Sequence, residues 1–259
     1  MRISTWNVNS VRQRISHLLE FLREEAPDVV CLQEIKCLDD AFPRAEVEEA
    51  GYTVATHGQK TFNGVAILSK LPMEVERGLP GDPDDAQARY IEAAISVPRG
   101  IVRVASVYAP NGNPVATEKY AYKLAFMERL ERHARKLLAL EEPFALAGDF
   151  NVIPEERDAK DFSRWRDDAL GLPATRAAWR RLLNLGLVDA LRATTDAAGI
   201  YTFWDYQAGA FQRDDGIRID HALLSPQAAD LLGGARVARA MRAREKPSDH
   251  VPLIVDLAT

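Results

Sequence analysis

Phe144 to Asn151, read FALAGDFN, is the stretch from which the fold of this chain can be worked outward. Phe144 to Ala147 are apolar or small and read as a short buried strand. Gly148 is expected to let the backbone turn, with Asp149 and Asn151 following two residues apart. Were the extended geometry to continue, that i, i+2 pair would point a carboxylate and a carboxamide into one small volume. Such a pair at the carboxyl end of a core strand suits a water, a metal ion or a phosphate. Alone, the pattern also fits plain turn chemistry after an apolar run.

Other strand ends carry compatible groups. Residues 2–8 read as a first strand ending at Asn7, and 29–32 as a strand buried on both faces that delivers Gln33 and Glu34. Between them Ile15, Leu18, Leu19 and Leu22 form one apolar helical stripe that stops before Pro27. Residues 63–69, 89–97 and 102–108 read as further strands, the last ending at Tyr108 before Pro110-Asn111-Gly112, with 79–88 a polar loop. A long helix is expected over 117–140, with Thr117 as N-cap and a stripe of Leu124, Met127, Leu130, Ala134 and Leu137.

Beyond Asn151, the charged segment 154–168 reads as a surface loop. Residues 174–185 read as a helix packed through Ala178, Trp179, Leu182 and Leu183 and stopped by Gly186. The aromatic run 201–206 (YTFWDY) and the alternating 217–224, which carries Asp220, read as strands. Ser248-Asp249-His250 then precedes a closing strand at 251–257. No linker divides the chain, so a single domain over 1–259 is expected, with two similar α/β halves at roughly 1–140 and 141–259. Two packed sheets flanked by helices are the simplest architecture.

Composition removes several classes. Hydrophobic (47%) and charged (27%) contents are those of an ordinary globular protein. No apolar run nears the ~18 residues of a membrane span, and MRISTWNVNS has no signal-peptide core, so a cytoplasmic protein is expected. Cys31 and Cys37 are too few for a disulfide scaffold or a cysteine zinc site. The net charge of −5 argues against a basic, non-specific nucleic-acid binder, although carboxylates that bind a divalent ion make formal charge misleading. Arg236, Arg239, Arg242, Arg244 and Lys246 oppose only Glu245, a basic run that reads as solvated surface.

Asn7, Glu34, Tyr108, Asp149, Asn151, Asp220, Asp249 and His250 thus form one candidate constellation. Acids and carboxamides with a single histidine make a hard-oxygen set suited to Mg²⁺ or Mn²⁺. Glu34 is the stronger ligand candidate, with Asp249 or Asp149 as a second position.

Six motifs occur in order: Trp6-Asn7-Val8-Asn9, Gln33-Glu34-Ile35-Lys36, Tyr108-Ala109-Pro110-Asn111-Gly112, Gly148-Asp149-Phe150-Asn151, Arg218-Ile219-Asp220-His221 and Ser248-Asp249-His250. Together they resemble the endonuclease/exonuclease/phosphatase superfamily, and within it the exonuclease III family of abasic-site endonucleases. The resemblance runs from Arg2 to Val255; 155–158 (EERD) and 201–206 are similar to exonuclease III rather than to its cousins. Ser10 stands where many members have Gly and Asn9 where some have Asp, which weakens a metal role for Asn9.

The resemblance implies a four-layer α/β/β/α sandwich of two mainly antiparallel sheets, with metal-assisted phosphodiester hydrolysis at the strand ends. It implies Glu34 as the Mg²⁺ (or Mn²⁺) ligand, with Asn7, Asp149, Asn151, Asp249 and His250 around the ion. It gives Asp149 the attacking water, Asn151 its positioning, His250 the phosphate, Asp220 the orientation of His250, and Tyr108 a place in the shell. Whether Asp149 or the Asp220–His250 pair takes the proton stays open at this point. Phe203, Ile217 and Ile219 match the family's pocket for a flipped, base-free sugar. Trp204, Asn111, Asn113, Tyr206, Gln207, Lys36, Arg12 and the basic run at 236–246 are candidate DNA contacts. The expected partner is double-stranded DNA with abasic or 3′-blocked ends, bound by a monomer, with no membrane. The expected activities are incision 5′ to abasic sites, 3′→5′ exonuclease and removal of 3′ blocking groups. The rivals are a superfamily phosphatase or phospholipase and a non-catalytic DNA-binding protein on the same fold.

Overall fold

A period of two in the strand residues builds the layers. In β1 (Arg2–Asn7) and β2 (Val29–Gln33), Ile3, Val29 and Cys31 point into one core while Trp6, Val30 and Leu32 point into another. Helix α1 (Ile15–Glu25) covers the second face with Leu18, Phe21 and Leu22. Burying each such side chain contributes roughly 1.5–3 kcal/mol. The computed structural model describes residues 1–259.

After β2 come α2 (Arg44–Glu49), β3 (Thr53–His57), β4 (Val65–Ser69), β5 (Met73–Arg77), β6 (Tyr90–Val97) and β7 (Gly100–Tyr108). Helix α3 (Glu118–Leu138) leads to β8 (Phe144–Asp149), α4 (Pro173–Leu183), β9 (Val188–Asp189) and α5 (Ala190–Thr194). The chain closes with β10 (Asp220–Leu224), α6 (Pro226–Ala229), β11 (Leu232–Val237) and β12 (Leu253–Leu257). One six-stranded sheet has the order β11-β12-β1-β2-β4-β3, the other β5-β6-β7-β8-β10-β9. Each is antiparallel except for one parallel pair, β1–β2 and β7–β8. The inter-sheet core joins Ile3, Val29, Ile67 and Val255 to Ile91, Val104, Ala145 and Ala147. Helices α3 and α4 cover the outer face of the second sheet through Phe126, Met127, Leu130, Ala178, Trp179 and Leu182. The expected four-layer sandwich is the observed architecture.

Several details differ from expectation. Both sheets draw on both halves of the chain: β5, β6 and β7 lie in the second sheet, and β11 and β12 return to the first beside β1. The short edge elements β3, β5 and β11 are not among the expected strands; β3 and β11 alternate weakly, whereas β5 (MEVER) does alternate but is only five residues long. Segment 201–206 is not a strand; Phe203 makes only isolated bridges to Ile217 and His250. The loop at 154–168 is more than surface, since Asp158 is wholly buried and Phe162 packs with Ile153, Ile217 and Ile219.

Gly148 differs most. It lies inside β8, and an added Cβ would sit 1.8 Å from the Val107 carbonyl oxygen. Glycine is needed there for close strand approach rather than for a turn.

Candidate active site

Each parallel pair delivers its carboxyl ends to the same edge of the sandwich. β1 ends at Asn7 and β2 runs into Glu34, while β7 and β8 end in register at Tyr108 and Asp149. Antiparallel β10 begins there with Asp220, paired to Asp149, and His250 lies just before β12. Local backbone strain finishes the placement. Glu34 (φ 51°) and Asn151 (φ 50°) are both left-handed, a conformation costly for side-chain-bearing residues and concentrated at functional sites. The Glu34 carbonyl accepts the Ser10 N–H at 2.8 Å. Because Asn151 leaves the extended region, it does not simply share a strand face with Asp149 as its spacing suggested.

Asn7, fully buried, donates from Nδ2 to Glu34 Oε1 (2.8 Å) and Asp149 Oδ2 (3.0 Å), tying the two sheets' acids together. Tyr108 donates its hydroxyl to Glu34 Oε1 at 2.9 Å, and Lys36 Nζ lies 2.9 Å from Glu34 Oε2. Asp149 Oδ1 accepts the Asn151 N–H at 2.9 Å. Asn151 in turn donates to the Ala109 carbonyl (2.9 Å) and accepts from Asn111 (3.2 Å). His250 Nδ1 is 2.8 Å from Asp220 Oδ2, and its Nε2 faces Asp149 Oδ2 at 3.9 Å. Ser248 holds this segment against β1 by donating to the Asn7 carbonyl at 2.7 Å.

Charge states follow from burial and neighbours. Burial, only partly offset by His250, pushes the Asp149 carboxyl up to about 7. Burial works against a charged His250, but Asp220 and Asp149 overcome it and raise the imidazole to about 10. Glu34 goes the other way: burial would raise its carboxyl, yet Lys36 and Asn7 bring it below its ordinary value.

These groups open onto a cavity of about 220 Å³. Glu34, Tyr108, Asn111, Asn113, Asp149, Asn151, Asp249 and His250 supply its polar lining, and Trp165, Leu170, Phe203 and Ile219 its apolar wall. The Phe203 ring meets the His250 ring edge-on at 4.9 Å. Larger recesses exist, one of about 630 Å³ beside Leu19 and Leu22, but its lining has no comparable buried acid cluster. Chemistry, not size, identifies the site.

Most of the constellation is gathered here, with exceptions. Trp204 is buried in the outer core of the first sheet, its indole N–H on Asp214, and does not line the cavity. Ile217 packs behind Ile219 in the cluster that supports the wall. Lys36 lies at Glu34 and Asn9 rather than in the cavity lining. Much of the basic run is already paired: Arg236 with Glu25, Arg239 with Asp214, and Arg244 with Glu20 and Glu24, while Arg242 donates to the Trp204 carbonyl. Trp165 and Leu170 escaped the sequence reading. Large apolar residues in the otherwise charged 154–170 stretch were the available signal.

A hard cation suits this donor set. Asp149, Asp220 and His250 bring ligand-type atoms within 4.8 Å of one another, and the buried Asp220 Oδ1 has no hydrogen-bond partner. Two expected ligands fit less well. Asn7 turns a donor toward the acids, and Asn151 has both ends of its amide engaged. Glu34, Asp149 and Asp249 bring further carboxylate oxygens to the same cavity.

Residues 4–250 match the profile of the endonuclease/exonuclease/phosphatase family. Exodeoxyribonuclease III of Haemophilus influenzae is 36% identical over 262 residues, covering 98% of each chain. This chain belongs to the endonuclease/exonuclease/phosphatase family, in its exonuclease III branch. Among solved members, an AP endonuclease from Archaeoglobus fulgidus superposes with a TM-score of 0.94 at 36% identity, with 100% of both chains covered. The 3′ phosphatase NExo from Neisseria, bound to a product DNA hairpin, gives 0.94 at 38% identity and 99% coverage of both chains. The family fold thus accounts for the whole length of this chain.

Proposed function

We propose that this family member is a divalent-metal-dependent DNA repair nuclease that hydrolyses a phosphodiester 5′ to an abasic site. The reading extends to 3′→5′ removal of nucleotides from duplex ends and to clearing of 3′ blocking groups. The single observation that carries it is the adjacency of an acid-rich polar floor and a small apolar wall in one cavity. A base-free sugar fits such a space, whereas an intact nucleotide must also house its base. The relatives, an exodeoxyribonuclease, an AP endonuclease and a 3′ phosphatase, are by their names all phosphate-ester hydrolases, which supports this reading.

Phosphodiester hydrolysis needs a positioned nucleophile and stabilisation of growing negative charge. Mg²⁺ or Mn²⁺, held by Glu34 with Asp149 and Asp249 beside it, would neutralise phosphate charge and stabilise the leaving oxygen. Asp149, whose carboxyl is raised to about 7, suits a general base that orients a water and takes its proton. His250, fixed through Nδ1 by Asp220, keeps Nε2 as the donor to a non-bridging phosphate oxygen. A protonated His250 cannot also accept the water's proton, which favours Asp149 as the base. Asn151 steadies Asp149, and Asn7 with Tyr108 holds Glu34. Attack at phosphorus breaks the P–O3′ bond; the departing oxygen takes a proton from solvent to become the 3′-hydroxyl, and the 5′-phosphate stays on the abasic sugar. Phe203 and Ile219, backed by Ile217, cover the sugar. No helix is long and apolar enough to cross a membrane; a monomer acting in the cytoplasm completes the reading.

The test offers the chain, in Mg²⁺, a duplex with one abasic analogue and, in parallel, sphingomyelin vesicles and an inositol phosphate. A single nick 5′ to the lesion is expected, with no headgroup or phosphate release. Headgroup or inositol phosphate hydrolysis without nicking would replace this reading with the phospholipase or phosphatase alternative.

A further inference from the structure

Lys123 occupies a position on α3 where the helical period calls for an apolar side chain. The buried row Met127, Leu130, Ala134 and Leu137 extends back to Lys123, which is 0% exposed, while neighbouring Leu124 is only half-buried. Filling that space would take only a methionine or leucine. Its ammonium makes no salt bridge and donates instead to three main-chain carbonyls: Asn111 at 2.9 Å, Asn151 at 2.6 Å and Ala169 at 3.1 Å. Three donors thus meet three acceptors, which satisfies an ammonium group fully. Burial brings its pKa down to about 7, against the opposing pull of Asp149 and Asp168, and only the protonated form can serve all three carbonyls.

The three carbonyls belong to three separate segments that meet at the cavity. Asn111 and Asn151 line its polar side, and Leu170, next to Ala169, lines its apolar wall. The joint has no slack. A Cβ on Gly112 would fall 2.7 Å from Lys123 Cδ and 3.1 Å from Ala169 Cβ. Thr175 supplies a second donor to the Ala169 carbonyl at 2.7 Å, from a helix that does not touch Asn111 or Asn151 through this bond.

We infer that Lys123 is a positioning residue that fixes the Leu170 wall relative to Asn111 and Asn151, and so sets the cavity's preference for a base-free sugar over an intact nucleotide. The inference rests on the nuclease reading above. Lys123 touches neither substrate nor reacting atoms. It acts through the span between three loops, which one cation with three donors can hold and an apolar side chain cannot.

The test compares the full-length protein with Lys123→Met and Thr175→Val in Mg²⁺. Two kcat/KM values are measured: incision at an abasic analogue in a duplex, and removal of the undamaged 3′-terminal nucleotide. For Lys123→Met the ratio of the first to the second is expected to fall at least about tenfold, the scale on which pocket shape discriminates substrates. Thr175→Val should shift the ratio the same way by less. A parallel loss of both activities, with the ratio held within about twofold while Tm drops, would reduce Lys123 to a stability residue and overturn the inference. If Lys123→Met does not fold, Thr175→Val decides alone, and an unchanged ratio overturns it. Failure of the unmodified protein to nick the abasic duplex would instead show that the nuclease reading itself is wrong, and the inference would fall with it.

Discussion

Arg218, just before β10, and Asp220, its first residue, are two residues apart, yet they enter buried polar clusters of opposite character. Arg218 Nε lies 2.8 Å from Asp158 Oδ1 and its Nη1 2.8 Å from Asp189 Oδ2, and Arg192 also pairs with Asp158. His221 Nδ1 accepts from Arg218 at 2.9 Å and Nε2 donates to the Val152 carbonyl at 3.0 Å. Burial and Arg218 push that imidazole down to about 4, so it stays neutral. Two arginines therefore balance two aspartates. Across the strand Asp149 and Asp220 share one histidine, Asp220 Oδ1 has no partner, and Asp149 is pushed upward by burial. The balanced cluster locks the EERD segment onto the residues that lead through Ile219 into β10. The unbalanced one is where the proposed reading puts the phosphate and the cation. Perturbed acids in a cleft mark chemistry more often than a closed ion-pair network does.

This contrast can be broken by substitution. The largest effect is expected from His250→Gln, which should lower kcat by about 10²–10⁴-fold in single-turnover incision while the protein stays folded by circular dichroism. Retained rate would remove His250 from the chemistry. Asp158→Asn should act the other way, destabilising by about 3–5 kcal/mol in urea melts because it leaves a buried arginine pair uncompensated. Its folded fraction should still turn over at a rate near the parent's, and a selective loss of kcat would merge the two clusters.

A finer distinction comes from pH. The Asp149 carboxyl is raised, so the stability it brings is whole below the ordinary carboxylate range and is lost as pH rises through about 7. His250, despite its burial, is raised by Asp220; its contribution is whole below the ordinary imidazole range and fades only toward about 10. In EDTA, Tm of the parent should therefore fall more than that of Asp149→Asn between about pH 5 and pH 8. Parallel curves would show that Asp149 is not held protonated. The smallest effect belongs to the half-exposed pair of Arg236 with Glu25, where Arg236→Ala should change stability by less than about 1 kcal/mol. A larger loss would mean that the basic run is structural in a way its exposure does not suggest.

Much of this was legible in the sequence because strand ends advertise themselves. Apolar runs ending in Asn7, Glu34, Tyr108 and Asp149 gave the layers and the polar floor together. What escaped depends on contacts that periodicity does not encode. Gly148 reads as a turn residue until the Val107 carbonyl is seen against it. Lys123 hides beside Leu124, since a charged residue at a stripe position looks like a phase error in the stripe. Trp165 and Leu170 belong to an irregular segment whose packing is fixed by Asp158, Arg218 and Asn113 rather than by a repeating pattern. The aromatic run at 201–206 has strand composition, but its partners Ile217 and His250 allow only single bridges.

The most direct test of the central claim measures rate and affinity together on one abasic duplex, for the parent, Asp149→Asn and Asp158→Asn. The parent should nick 5′ to the lesion in Mg²⁺ and stop in EDTA. Asp149→Asn should bind the duplex nearly as tightly yet lose turnover by at least about 10²–10⁴-fold, the contribution of a general base. Asp158→Asn should keep both, once corrected for its folded fraction. Asp149→Asn that turns over normally, or that loses binding and rate together, would contradict the assignment of the unbalanced acid cluster to catalysis.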